Sequence, residues 1–192
     1  ATGGPLAVSD YTTGSSLASS PGLALAPDGR LYVSDQTYNF GTSIASGPVK
    51  RFDAAGTYVG EVIADGADGL AGPTGLAITP DGATLYTASI MNGDILQTNL
   101  ATDTTTTFGT TSTPFEVGTL ALLPDGTLLA GSPSGSGSIY HFDTDGTLMS
   151  TFASGLGQIG GLATVPEPAT ASLAWLGAAG GAWLLRSRIR RG

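Results

Sequence analysis

Cysteine is absent from the 192 residues, which excludes a disulfide framework, thiolate-ligated zinc, iron–sulfur clusters and thiol catalysis. Histidine occurs once, as His141, so no site that needs two imidazoles can be built. A serine–histidine–aspartate triad would have to commit that one ring, and neither a nucleophile elbow nor a phosphate loop is present. Charge is scarce: 11% of residues carry it, against about 25% in ordinary soluble domains. Basic residues number seven against fifteen acidic, and four of them, Arg186, Arg188, Arg190 and Arg191, crowd the last seven positions. Through Pro168 only Arg30, Lys50 and Arg51 face all fifteen carboxylates. A body this acidic cannot neutralise a row of phosphates, so no nucleic-acid partner is expected.

Glycine (30) and proline (11) are plentiful, and 41% of residues are hydrophobic. Short apolar runs separated by turn formers point to an all-β chain. The runs also repeat. GLALAPDGRLYVSD from Gly22, GLAITPDGATLYTAS from Gly75 and GTLALLPDGTLLAGS from Gly118 share a Pro-Asp-Gly turn, at Pro27, Pro80 and Pro124. A second pattern follows each one: PVKRFDAAGTYVGEVI from Pro48, DILQTNLATDTTTTF from Asp94 and SIYHFDTDGTLMSTF from Ser138. Each repeat therefore holds two hairpins. In Pro-Asp-Gly, proline presets the first turn position and glycine takes the positive φ that re-registers the strands. Four short strands at this period predict a β-propeller blade. The glycines ahead of each inner strand, Gly22, Gly75, Gly118 and Gly161, fit close approach near a crowded axis. PLAVSDYTTGSSLAS near the start matches the second pattern, and Gly160–Thr164 reads as one more opening strand. The expected body is thus a partial propeller over residues 1–164, with about three and a half four-stranded blades. No basic start followed by an apolar core marks a signal peptide in the first twenty residues. The chain is accordingly expected to be the C-terminal part of a larger propeller.

LYVSDQTYNFGTSIASGPVKRFDAAGTYV resembles an NHL-repeat blade and, more loosely, the gluconolactonase-like propellers. Leu31, Tyr32, Val33, Asp35, Val49, Arg51, Phe52, Asp53 and Gly56 occupy the matching positions. The third copy keeps Ile139, Phe142, Asp143 and Gly146 but places His141 at the arginine position, and the middle copy lacks Phe-Asp. The looser resemblance implies an alternative activity, a metal-dependent lactonase-like hydrolase. Such an enzyme would need carboxylates and asparagines converging on the channel around a divalent ion, and the inner-strand ends here are mainly apolar or small.

Residues 169–185, ATASLAWLGAAGGAWLL, carry no charge. As a helix they would span roughly 25 Å, at the short end of what crosses a bilayer. Leu173, Leu176, Leu184 and Leu185 supply bulk, and Trp175 and Trp183 suit interfacial depths. The arginine cluster after them sets the C-terminus in the cytoplasm and the body outside it. Val165-Pro166-Glu167-Pro168 just before is an extended linker, since two prolines fit neither a helix interior nor a central strand. In this order the linker, apolar span and Arg-rich end of residues 165–192 resemble the PEP-CTERM sorting signal of Gram-negative bacteria, also known as the ice-binding-protein C-terminal domain. The resemblance implies export, transient anchoring in the inner membrane, and trimming near Pro166-Glu167-Pro168 by an exosortase-type membrane protease. It further implies delivery to the cell surface or extracellular matrix.

The expected role is therefore a surface or exopolysaccharide-matrix binding module with no catalytic residues and no bound cofactor. Asp28, Asp81 and Asp125 sit where a tight turn wants aspartate. Asp143-Thr144-Asp145-Gly146 opens like a calcium loop but has no glutamate at the twelfth position, so a turn is expected. Asp65 and Asp68 read as a solvated turn, His141 as a packed or exposed strand residue, and Ser134–Ser138 as a loop. Tyr38, Asn39 and Phe40, in the longest inter-strand loop, are the candidate contacts for an extracellular polysaccharide or a surface protein.

Overall fold

A computed structural model describes residues 14–164. The described chain is all-β apart from one 3-10 turn at Ala67–Gly69. Three four-stranded antiparallel sheets follow one another in chain order. Blade 1 is β1 (Leu23–Leu25), β2 (Leu31–Ser34), β5 (Val49–Phe52) and β6 (Tyr58–Ile63). Blade 2 is β7 (Pro73–Ile78), β8 (Thr84–Ser89), β9 (Asp94–Asn99) and β10 (Thr104–Thr110). Blade 3 is β11 (Thr119–Leu122), β12 (Leu128–Gly131), β13 (Ile139–Phe142) and β14 (Leu148–Ala153). A separate hairpin, β3 (Thr37–Asn39) and β4 (Ile44–Ser46), rises between β2 and β5.

Turn chemistry closes the hairpins as the residue types require. Gly29, Gly82 and Gly126 adopt φ of 86°, 72° and 88°, and their amides donate to Ala26, Thr79 and Leu123 carbonyls at 2.8–3.0 Å. The preceding aspartates accept the amides of Arg30, Ala83 and Thr127 at 3.0 Å each. In the outer hairpin of blade 2 Asn99 does the work of the missing aspartate, accepting the Ala101 amide at 2.9 Å.

Alternation puts each sheet's two faces to different uses. Ala24, Tyr32 and Val49 on the front of blade 1 pack against Leu76, Leu85 and Leu96 on the back of blade 2. Ala77, Tyr86, Ile95 and Phe108 on the front of blade 2 pack against Leu120, Leu128 and Phe142 on the back of blade 3. The core is therefore two layers between blades. At the inner edge neighbouring blades touch through backbone: the Gly75 amide donates to the Gly118 carbonyl at 2.8 Å, and a Cβ on Gly75 would lie 2.7 Å from Thr119 Cα. Gly22 likewise faces the Thr74 carbonyl of blade 2, whereas Gly118 faces the Pro133 side chain of its own blade.

Two expectations are corrected. Gly160–Thr164 forms no strand, and nothing lies within 4 Å of a Cβ placed on Gly161. The Ile159 amide is held by the Ser132 carbonyl at 2.9 Å, which ties the preceding segment to the β12–β13 loop instead of to a strand edge. Residues 14–19 form no strand either. The Ser16 carbonyl accepts Lys50 Nζ at 2.7 Å and the Ala18 amide donates to Asp35 at 2.6 Å, so their backbone is tied to side chains of blade 1. The rest of the expected half-blade lies outside the described residues, as do the linker 165–168, the expected span 169–185 and the arginine tail. Among the described residues no helix is long and apolar enough to cross a membrane.

Candidate functional site

In an up-and-down sheet successive connections alternate between its two ends. The Pro-Asp-Gly and outer-hairpin turns share one end of the blades. The β2–β5, β8–β9 and β12–β13 loops share the other, together with the two connections between blades. These five segments form one bonded rim. Gln36 Nε2 donates to the Pro73 carbonyl at 3.1 Å, and the Gly47 amide to Asp65 at 2.7 Å. Asn92 Nδ2 donates to the Gly69 carbonyl at 3.0 Å, and the Phe115 amide to Ile90 at 2.7 Å.

Tyr38, Asn39 and Phe40 lie on this rim, but on the β3–β4 hairpin and at its tip rather than in an open loop. Asn39 is a turn former. Its Oδ1 accepts the Gly41 and Thr42 amides at 2.9 and 3.3 Å, and Ser43 completes the reversal at φ 55°. The Tyr38 and Phe40 rings meet edge to face, centroids 4.9 Å apart. Phe40 is 88% exposed. The exposed Phe40 ring is thus braced by a second ring rather than standing alone.

The rim also holds a carboxylate that inspection of the sequence passed over. Glu116 sits two residues ahead of Gly118 and β11. Its Oε1 accepts Ser134 Oγ at 2.7 Å; its Oε2 accepts Ser136 Oγ at 2.8 Å and Tyr140 Oη at 2.7 Å. Partial burial pushes this carboxyl up, but the bonds from Tyr140, Ser134, Ser136 and Ser132 together outweigh it and hold its pKa below the ordinary glutamate value. Burial and the carboxylate raise Tyr140 in turn. The signal was a lone acid before an inner strand and serines at every second position from 132 to 136, whose hydroxyls converge on it. The glycine–serine run is a loop, as expected, and Glu116 is what orders it.

The remaining acidic candidates serve the backbone. Asp143 accepts the Thr144 amide at 2.7 Å and Asp145 the Thr147 amide at 2.9 Å, so the calcium-like run is a turn. Asp65 holds Gly47, and Asp68 is a left-handed residue of the 3-10 turn with φ 52°. His141 Nε2 meets Thr127 Oγ1 at 2.9 Å, with Phe152 beside the ring. A divalent-ion centre in the channel needs oxygen donors at the inner-strand entrances. The residues preceding Gly22, Gly75 and Gly118 are Pro21, Thr74 and Val117. Only Thr74 has a side-chain oxygen, which is buried and directed to the Ala88 carbonyl at 3.5 Å. Among the described residues no three potential ligands cluster.

An arc of four-stranded blades, with its loops bonded into one rim, is the architecture of part of a β-propeller. Residues 7–179 match the SMP-30/Gluconolactonase/LRE-like region, and the chain belongs to that family. No curated protein sequence matches it. Among solved structures it is similar to the calcium-binding protein regucalcin from Agrobacterium tumefaciens, at 16% identity and TM-score 0.60, over 75% of this chain and 48% of that one. A chain of a nidogen/laminin complex matches at 22% identity and TM-score 0.60, over 74% and 51%. A chain of a mitotic checkpoint complex matches at 19% and 0.55, over 73% and 39%. These likenesses concern the fold. The chain spans between about two fifths and one half of the length of these structures.

Proposed function

We propose that the protein is a carbohydrate-binding propeller module of the cell surface or exopolysaccharide matrix, exported across the inner membrane and released near Pro166-Glu167-Pro168 by an exosortase-type protease. The observation that carries the binding half is the Tyr38–Phe40 platform on the rim. Aromatic faces take the apolar faces of sugar rings, and the hydroxyl-rich Glu116–Ser136 patch suits a polyhydroxyl partner. Affinity electrophoresis against the producer's exopolysaccharide tests it: Phe40→Ala is expected to abolish retardation and Phe40→Trp to keep it. Equal retardation of both variants would reject this face. The sorting half rests on the order of residues 165–191. Intact-mass analysis of the surface fraction is expected to show loss of the C-terminal segment, and Glu167→Ala to leave it attached.

Family membership favours a second reading, a metal-dependent lactonase-like hydrolase. Pro21, Thr74 and Val117 at the inner-strand entrances argue against it. Lactone turnover with added calcium or zinc, alongside calorimetric titration of each ion, separates the two readings.

A further inference from the structure

The Pro-Asp-Gly turns meet differently at the two junctions between blades. Between blades 1 and 2 they pack: a Cβ on Gly82 would lie 3.1 Å from Pro27 Cδ. Between blades 2 and 3 they part. A Cβ on Gly126 would meet Thr144 Cγ2 of its own blade at 3.4 Å and nothing of the blade 2 turn within 4 Å. The gap is a cleft of about 380 Å³, walled by Pro80, Pro124, Leu122 and Leu123 and carrying Tyr86 and Asp81 in its lining. Such a volume suits one small molecule.

Tyr86 is the buried polar member of that lining, 8% exposed, with its ring edge to face on Phe108 at 4.9 Å. Its hydroxyl has no hydrogen-bond partner among the described residues. Burial raises its pKa, so the phenol stays protonated and can donate. Asp81 is the exposed member. Its carboxylate accepts Thr79 Oγ1 at 2.6 Å and the Ala83 amide at 3.0 Å, and Asp125, between Pro124 and Gly126, is held in the same way by Thr127. Among the described residues neither carboxylate pairs with a lysine or arginine. With three basic residues against fifteen acidic through Pro168, the field around the cleft favours a cation.

We propose that this cleft binds a small organic ammonium ion with an apolar ring and one hydroxyl. The ligand hydroxyl accepts the Tyr86 proton, the ring lies between the two prolines, and the ammonium faces Asp81. The site is at the turn end of the blades, opposite the rim, and stands apart from the carbohydrate reading.

NMR titration of the full chain in nonionic detergent tests this, followed at the amide signals of Gly82 and Gly126. The probes are tyramine, phenethylamine, which lacks the hydroxyl, and para-hydroxyphenylacetate, which replaces the ammonium by a carboxylate. Tyramine is expected to saturate, phenethylamine to bind about two- to tenfold more weakly for want of one hydrogen bond, and the acid not to saturate. Tyr86→Phe should make the two amines equal. Asp81→Asn, which keeps the acceptor for the turn, should weaken both by up to about fivefold. Thr144→Trp, at an exposed position, fills the cleft and should abolish binding, with circular dichroism checking that each variant is folded. Failure of tyramine to saturate the wild-type chain, an equal response to the acid, or unchanged binding in folded Thr144→Trp would overturn the proposal.

Discussion

The guanidinium of Arg51 on blade 1 grips the carboxylate of Asp103 on blade 2, Nη1 to Oδ1 at 3.0 Å and Nη2 to Oδ2 at 3.2 Å. This two-pronged bond ties neighbouring blades at their outer strands, where the apolar layer thins. Asp103 lies in the β9–β10 turn at φ 52°, so its side chain is aimed by the turn that replaces the glycine-closed one of the other blades.

Both partners are partly solvated, which limits the value of the pair. A double-mutant cycle with Arg51→Ala and Asp103→Ala is expected to give a coupling of about 0.5–1 kcal/mol by denaturant unfolding. Arg51→Ala alone should cost more than Asp103→Ala, because it also removes the packed aliphatic stem.

Lys50 and Asp35 form the opposite kind of pair, Nζ to Oδ2 at 2.7 Å and nearly buried on both sides. Together they also hold the Ser16 carbonyl and the Ala18 amide. Asp35→Ala leaves an uncompensated buried ammonium and is expected to destabilise by about 3–5 kcal/mol. Limited proteolysis should then open the chain near residues 14–20 before the blades unfold.

Thr87 is fully buried on β8 and its hydroxyl has no hydrogen-bond partner. The equivalent position in blade 1 is Val33. Thr87→Val keeps the shape and removes an unsatisfied polar group, so a gain of about 1 kcal/mol is expected in chemical denaturation. A loss of stability would mean that the hydroxyl is satisfied.

Acid should weaken the molecule through its turns. Thr79 Oγ1, donating at 2.6 Å, is the main reason that Asp81 titrates below the usual aspartate value; Thr127 does the same for Asp125. A carboxyl lowered in the folded state contributes stability above its unfolded pKa and loses it as pH falls through the folded one. Glu116 has the same sign. Melting temperature is therefore expected to fall on acidification below about pH 4. In a carboxyl-carbon NMR titration, Thr79→Val should move Asp81 upward and leave Asp145 in place.

What could be read from the sequence was what local chemistry decides. Pro-Asp-Gly fixes a turn wherever it stands, and Gly22 and Gly75 announced a backbone approach that the structure bears out. The missing pieces needed partners distant along the chain. Glu116 and Tyr140 are 24 residues apart and meet only because β11 and β13 share a blade. The β3–β4 hairpin has no Asn-Gly or Asp-Gly at its tip; Asn39 and Ser43 make the reversal between them. Gly160–Thr164 has the look of an inner strand, but a strand is made by its neighbour as much as by its own residues.

The β3–β4 hairpin leaves and rejoins its blade where Ser34 and Val49 already face each other across β2 and β5. The sheet therefore never registers what is inserted between them. Evolution can lengthen, shorten or exchange that excursion, aromatic rings included, while the scaffold beneath stays unaltered.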